Sequence, residues 1–285
     1  MLAVSCSAVI LIAFVGYIAV PYVRGAINYV AWRLAAAPEF SQGYATNDGV
    51  QIHYTLCGNG PPLLLLHGGL SSTLDWMGEM PALTRSFRVI LLDMRGHGKS
   101  SFGPEHFTYR LLASDVRAVL DTLDIERADI VGWSDGGNTG LLFAIEYPHR
   151  LHRLVVISAN FNPDGISAAA FDPIENRPEE IDPFLSRWFH HWQSESPGRW
   201  VQLRDRVVAM WRDYPQLTPE ALSAVRVPTL VMVGGQDYIE LSHAQVMVQA
   251  LADAELVVIP NVGHAVPRYA ARAVTLNIER FLSSE

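Results

Sequence analysis

The chain has 285 residues, 49% of them hydrophobic, enough for one large domain with a sizeable core and an insertion. Its formal net charge is −8 and it has no basic stripe with interleaved aromatics, which argues against a nucleic-acid partner. Two cysteines, Cys6 and Cys57, do not make a disulfide framework, and no Cys/His cluster has metal-ligand spacing, so a structural zinc site is not expected.

Leu2 to Val23 carries no charged side chain. About 20 such residues suffice to cross a bilayer as a helix. A secretory signal peptide is the rival reading, but the segment lacks a basic start and a clear A-x-A cleavage site. A single uncleaved anchor over residues 1–24 is expected. Arg24 and Arg33 follow it and nothing basic precedes it. The positive-inside rule then leaves the C-terminal domain in the cytoplasm, whereas a cleaved signal would send it out. Ile27 to Ala37, with Tyr29, Trp32 and Arg33, reads as an interfacial or plain linker helix within residues 25–42.

Globular sequence begins near Phe40. Tyr44–Thr46, the turn Asn47-Asp48-Gly49 and Val50–Leu56 predict a β-hairpin. Pro62-Leu63-Leu64-Leu65-Leu66 has the wholly apolar character of a buried parallel strand and ends in His67-Gly68-Gly69-Leu70. Ser72 or Thr73 can cap a helix running to about Thr84. The strand Phe87–Leu92 leads into Asp93-Met94-Arg95-Gly96-His97-Gly98-Lys99-Ser100. Thr108 to Leu123 has helical spacing, Ala128 to Trp133 is a strand, Asn138 to Tyr147 a helix, and Leu151 to Ser158 another buried strand. This alternation over residues 43–159 predicts an α/β fold, a mostly parallel sheet covered by helices on both faces.

The alternation breaks at Asn160. Residues 160–226 are helical, aromatic-rich and punctuated by prolines, with Phe184, Leu185, Trp188, Phe189 and Trp192 on one helical face. They read as a lid packed on the sheet. Residues 227–285 resume the pattern: the strand Val227–Val233, a helix from about Leu241 to Leu251, the strand Glu255–Ile259 and a closing helix Val266–Leu282.

One stretch organises the rest: Ile130-Val131-Gly132-Trp133-Ser134-Asp135-Gly136-Gly137. An apolar strand, a sharp turn with small residues two positions either side of Ser134, and a helix lift the hydroxyl above the sheet edge. A serine hydroxyl needs a base within hydrogen-bond reach and a third group to orient that base. Asp237 and His264 each follow a predicted strand end, and the carboxyl ends of parallel strands share one sheet edge. The order Ser134, Asp237, His264 is one of the known triad orders. Backbone N–H groups of Asp135 and of Gly69 or Leu70 are the candidates to hold a developing oxyanion. Trp133, beside the serine, and Trp188, in the lid, are the candidate aromatic contacts to substrate. His67 and His97 sit in glycine-rich turns and are expected to make structural hydrogen bonds. His243 is expected to be solvated.

These motifs together resemble the α/β-hydrolase fold superfamily, the lidded esterase and peptidase-like members above all. They are the His-Gly-Gly turn at 67–69, Asp93 to Ser100, the elbow around Ser134, and the late Asp237 and His264. The resemblance covers about Gly43 to Leu282. It implies hydrolysis of a small-molecule carboxylic ester through an acyl-enzyme, without a cofactor. A serine rather than an aspartate at the elbow disfavours haloalkane or epoxide chemistry. Acyl transfer or cofactor-free perhydrolysis would use the same triad with another nucleophile in place of water. A non-catalytic ligand receptor would not require the three residues together. The elbow Gly-Trp-Ser-Asp-Gly-Gly is similar to that of the valacyclovir hydrolase-like group, which cleaves amino-acid esters. That likeness implies a cationic substrate held by Asp135; stabilisation of Asp135 by the helix dipole alone is the other reading.

Overall fold

A computed structural model describes residues 21–177 and 199–283. Residues 2–20 of the expected anchor, and the predicted helical face from Phe184 to Trp192 that includes Trp188, lie outside them. The first described element is helix α1, Pro21–Ala36, so the last residues of the uncharged run are already helix packed on the domain. It ends where Ala37 takes a left-handed conformation (φ 40°) and Pro38 removes the next donor. Among the described residues, no helix is long and apolar enough to cross a membrane.

Strands β1 (Phe40–Asn47) and β2 (Val50–Cys57) form the expected hairpin. Asp48 and Gly49, at φ 49° and 78°, make its two-residue turn, which fixes the register Asn47↔Val50. Strand β3 is Pro62–Leu66. Only a 3-10 turn at Thr73–Trp76, capped by Ser72, and the single-turn α2 at Met80–Leu83 follow it. The continuous helix expected to Thr84 does not form, because Pro81 lacks the N–H such a helix requires and its ring would clash with the preceding turn. Next come β4 (Arg88–Leu92), α3 (Tyr109–Thr122), β5 (Ala128–Trp133), α4 (Asp135–Glu146) and β6 (Leu151–Ile157). In the insertion, α5 (Ala168–Asn176), α6 (Trp200–Asp213) and α7 (Pro219–Leu222) are described. The chain closes with β7 (Thr229–Gly234), α8 (Leu241–Ala250), β8 (Ala254–Ile259) and α9 (Val266–Ser283).

The eight strands form one sheet in the order β1-β2-β4-β3-β5-β6-β7-β8. β1 and β2 are antiparallel to their neighbours and the remaining strands are parallel. The period of two in a strand sends alternate residues to opposite faces. Leu64 and Leu66 therefore enter the core beneath α3 and α4, while Leu63 and Leu65 enter the core beneath α9. Burial on both faces explains why β3 has no polar alternation, and it leaves the carboxyl ends of β3 to β8 together at one edge.

Candidate active site

The elbow is built by close approach. A Cβ on Gly132 would collide with the carbonyl of Gly136, and a Cβ on Gly136 with that of Leu66. With no Cβ at either position, helix α4 starts directly against the ends of β5 and β3. Ser134 pays for this geometry in the left-handed region (φ 53°, ψ −118°), a conformation that costs a non-glycine residue about 1–3 kcal/mol. Two backbone bonds hold it there: Ser134 N–H to Ile157 O at 2.8 Å and Asn138 N–H to Ser134 O at 2.9 Å.

Turns after β7 and β8 bring the other two candidates to the same edge. His264 Nε2 lies 3.0 Å from Ser134 Oγ, and His264 Nδ1 lies 2.9 Å from Asp237 Oδ1. Asp237 Oδ1 also accepts from Ile239 N–H at 3.0 Å. Burial alone would raise the Asp237 carboxyl. The hydrogen bond and charge of His264 outweigh it and hold the group below the usual carboxylate range. With an ionised acceptor at Nδ1, the imidazole keeps its proton there and turns a basic Nε2 toward the serine.

Two aromatic rings flank His264. Tyr238 stacks on it at 4.0 Å between centroids, 22° from parallel. Trp133 lies 5.6 Å away, and its indole N–H donates to His264 O at 2.9 Å. Trp133 is only 5% exposed. It supports the histidine loop from beneath, a correction to its expected place as a substrate contact. Arg268 covers the ring of Trp133 at 5.3 Å, donates to Asp75 and Ser71 at 2.6 Å each, and so ties α9 to the loop after β3.

That loop carries two of the expected oxyanion donors, Gly69 and Leu70, α4 carries the third, Asp135, and the three amides are not alike. Leu70 N–H is donated to His97 Nε2 at 3.1 Å and is therefore already committed. This corrects the expectation that Leu70 was an alternative donor. Gly69 N–H, and Asp135 N–H in the first turn of α4, remain without a backbone acceptor. His67 and His97 brace the loop reciprocally. His67 Nε2 accepts from Met94 N–H at 3.1 Å, its Nδ1–H donates to Gly68 O at 2.7 Å, and His97 Nδ1–H donates to Arg95 O at 3.1 Å. Arg95 is in turn bound by both carboxylate oxygens of Asp115 on α3, at 2.6 and 2.9 Å.

Asp135 is 2% exposed, and the protein itself occupies its carboxylate. Trp211 Nε1–H, from α6, bridges Oδ1 and Oδ2 at 2.8 and 2.9 Å. Tyr109 Oη donates to Oδ1 at 2.9 Å. Burial pushes the carboxyl up to about 6, against the hydrogen bonds from Trp211 and Tyr109 and the charge of His264. The Trp211 ring stands against Gly69, where an added Cβ would come within 2.7 Å of it. Asp135 thus latches the insertion to the elbow, which differs from its expected contact with a substrate cation. His243 is not solvated: it stacks on Phe161 at 3.9 Å, its Nε2 accepts Phe161 N–H at 3.1 Å, and burial lowers its pKa to about 4. Trp211, Tyr109, Tyr238 and Arg268 carry no sequence signal of their own. Their partners are distant in the chain.

A family profile described as the alpha/beta hydrolase fold matches residues 61–181. A fluoroacetate dehalogenase from Burkholderia sp is 34% identical over 148 residues, 50% of this chain and 45% of the relative, so the match spans less than half the relative's length. A 2-hydroxy-6-oxo-6-phenylhexa-2,4-dienoate hydrolase from Comamonas testosteroni is 29% identical over 250 residues, covering 75% of this chain and 84% of that one. The crystal structure of an enol-lactonase from Burkholderia xenovorans LB400 superposes with a TM-score of 0.69 at 25% identity, over 85% of this chain and all of that chain.

Proposed function

The chain belongs to the α/β-hydrolase superfamily, and from that premise we propose that it is a serine hydrolase that cleaves carboxylic esters through an acyl-enzyme on Ser134. The observation that carries this reading is the unbroken chain from Ser134 Oγ through His264 to Asp237, at 3.0 and 2.9 Å. Ser134 Oγ attacks the ester carbonyl as its proton passes to His264 Nε2. Asp237 stabilises the imidazolium, and the Gly69 and Asp135 amides receive the oxyanion. On collapse the leaving alkoxide takes the proton from His264. A water then gives its proton to His264 and attacks the acyl carbonyl, and Ser134 recovers its proton as the acid departs. Displacing halide or opening an epoxide by alkylation of the enzyme needs a carboxylate at the elbow, and a serine stands there. The enol-lactonase supports ester cleavage as the reaction class.

The uncharged run at the N-terminus supports attachment to a membrane. With residues 21–23 committed to α1, residues 2–20 remain, and as a helix they would span about 28 Å. Resistance to alkaline carbonate extraction is the expected result. For the chemistry, a fluorophosphonate probe and a panel of p-nitrophenyl esters distinguish the outcomes. Labelling and turnover in the parent, both absent in Ser134→Ala, are expected. A folded parent that neither labels nor turns over would end the esterase reading.

A further inference from the structure

Helix α1 has two apolar sides. Tyr29 and Trp32 turn inward, with Trp32 packed edge-on against Phe40 at 6.0 Å. Ile27, Val30 and Leu34, spaced three and four residues apart, turn outward and are 36%, 54% and 80% exposed. Apolar side chains displayed in register on a surface helix mark a face meant for something other than water.

The surroundings of α1 identify the partner. Three clefts of about 670, 450 and 790 Å³ flank the helix. Arg24, Arg85 and Arg272 line the first, Arg33 and Lys99 the second, and Arg85 and Arg88 the third. The acids among the lining residues are Glu279 and Glu39, so six cations face two anions in a chain of net charge −8. Arg33 lies over the ring of Phe40 at 4.0 Å, and Lys99 donates to Gln42 at 2.8 Å. Among the described residues none of the six is within ion-pair distance of a carboxylate. This basic belt is built by α1, the α2–β4 turn, the first residue of β4, the loop after β4 and α9, so it is a property of the folded domain and not of one segment. An apolar stripe rimmed by cations without carboxylate partners is the pattern of a surface that sits in a negatively charged lipid headgroup layer. The uncharged run of residues 2–20 enters the domain at the same helix.

We infer that the outer face of α1 docks on an anionic phospholipid bilayer. Ile27, Val30 and Leu34 enter the boundary between headgroups and acyl chains, and the arginine-lined clefts receive the phosphates. The docked helix fixes the orientation of the domain. At its start, Tyr22 packs under Arg268 at 5.8 Å, and Arg268 binds Ser71 beside the oxyanion loop. Docking therefore holds the catalytic edge close to the bilayer surface.

The test uses the full chain in nanodiscs, carrying Cys6→Ser and an environment-sensitive nitrobenzoxadiazole dye on Ala31→Cys. Ala31 is exposed on the outer face, whereas Cys57 is buried and does not compete for the dye. Blue-shifted emission is expected in discs containing phosphatidylglycerol and not in discs of phosphatidylcholine alone. The variant R24Q/R85Q/R88Q/R272Q should lose the difference while keeping parental ester turnover. Each cation is worth about fivefold in affinity for an anionic surface, so the four together should shift the salt needed to reverse the emission change well below the parental value. Should that variant misfold, reversal of the parent's blue shift by salt supplies the same information. Equal emission in both kinds of disc, as expected if residues 1–20 or a protein partner cover the face, would overturn the inference. So would a blue shift produced in neutral discs by inorganic phosphate, which would mark an ion site and not a lipid surface. Either failure leaves the esterase reading untouched, because the dye does not report turnover.

Discussion

Replacing Trp211 by Phe removes one N–H and keeps a ring against Gly69. That N–H bridges both oxygens of Asp135, at 2.8 and 2.9 Å. Burial moves the Asp135 carboxyl from an ordinary 3.8 to about 6, so once ionised it costs the fold about 3 kcal/mol. Between pH 3.8 and about 6 the folded chain holds more protons than the unfolded chain. Stability therefore falls as pH rises through that window, and levels off above it. The indole opposes this loss. A hydrogen bond to a charged acceptor is worth about 1.5–3 kcal/mol, and one to a neutral acceptor about 0.5–1.5 kcal/mol. Trp211→Phe should accordingly destabilise the protein by about 2–3 kcal/mol at about pH 8 and by about 1 kcal/mol at about pH 4.5. Urea unfolding followed by far-ultraviolet circular dichroism at the two pH values measures both. Equal losses would mean that the indole does not serve the ionised carboxylate.

Gly69→Ala places a methyl group against the Asp135 carboxylate and the Trp211 ring, so the loop must shift and take its amide with it. A fall in kcat of about 10²–10³ with little change in KM is expected from ester kinetics, as for loss of one oxyanion donor; an unchanged kcat would remove Gly69 from that role. Tyr238→Leu uncovers the face of His264, the ring that takes up a proton in the proposed reaction. Cation–π stabilisation of about 0.5–2 kcal/mol gives a loss of about 2- to 30-fold in kcat, with Tyr238→Phe close to the parent. A Phe variant as slow as the Leu variant would assign the effect to the hydroxyl.

Local pattern was enough for the elements that a local pattern determines. Five apolar residues between Gly60-Pro61 and His67-Gly68 leave few options besides the buried strand β3, and Asp48-Gly49 leave few besides a two-residue hairpin turn. Helix α4 begins at Asp135, three residues earlier than its periodicity suggests, because Gly136 and Gly137 are poor helix formers retained for close approach. Chain order brought Ser134, Asp237 and His264 together, since every parallel strand ends at the same edge. Which amide of the His67–Leu70 turn faces the serine was not legible, because the choice rests on His97, 27 positions away. The partners of Asp135 were hidden for the same reason, with separations of 26 and 76. Trp133 looked like a pocket wall because sequence neighbours the nucleophile, while the pleat sends its ring beneath the histidine loop.

The insertion leaves the sheet after β6 and returns at β7, the very next strand in the ladder, with Leu154 paired to Thr229. Both ends of the excursion are thus anchored in adjacent strands, β7 buried throughout and β6 buried from Leu154 to Ile157. Lengthening a loop clamped in this way adds only about 0.6 kcal/mol for each doubling. Residues 160–226 can be rewritten by drift or recombination while Ser134, Asp237 and His264, all outside that segment, stay in register. Such a lineage can change what it recognises at a different tempo from how it reacts, provided that each new cap still offers a donor where Trp211 now meets Asp135.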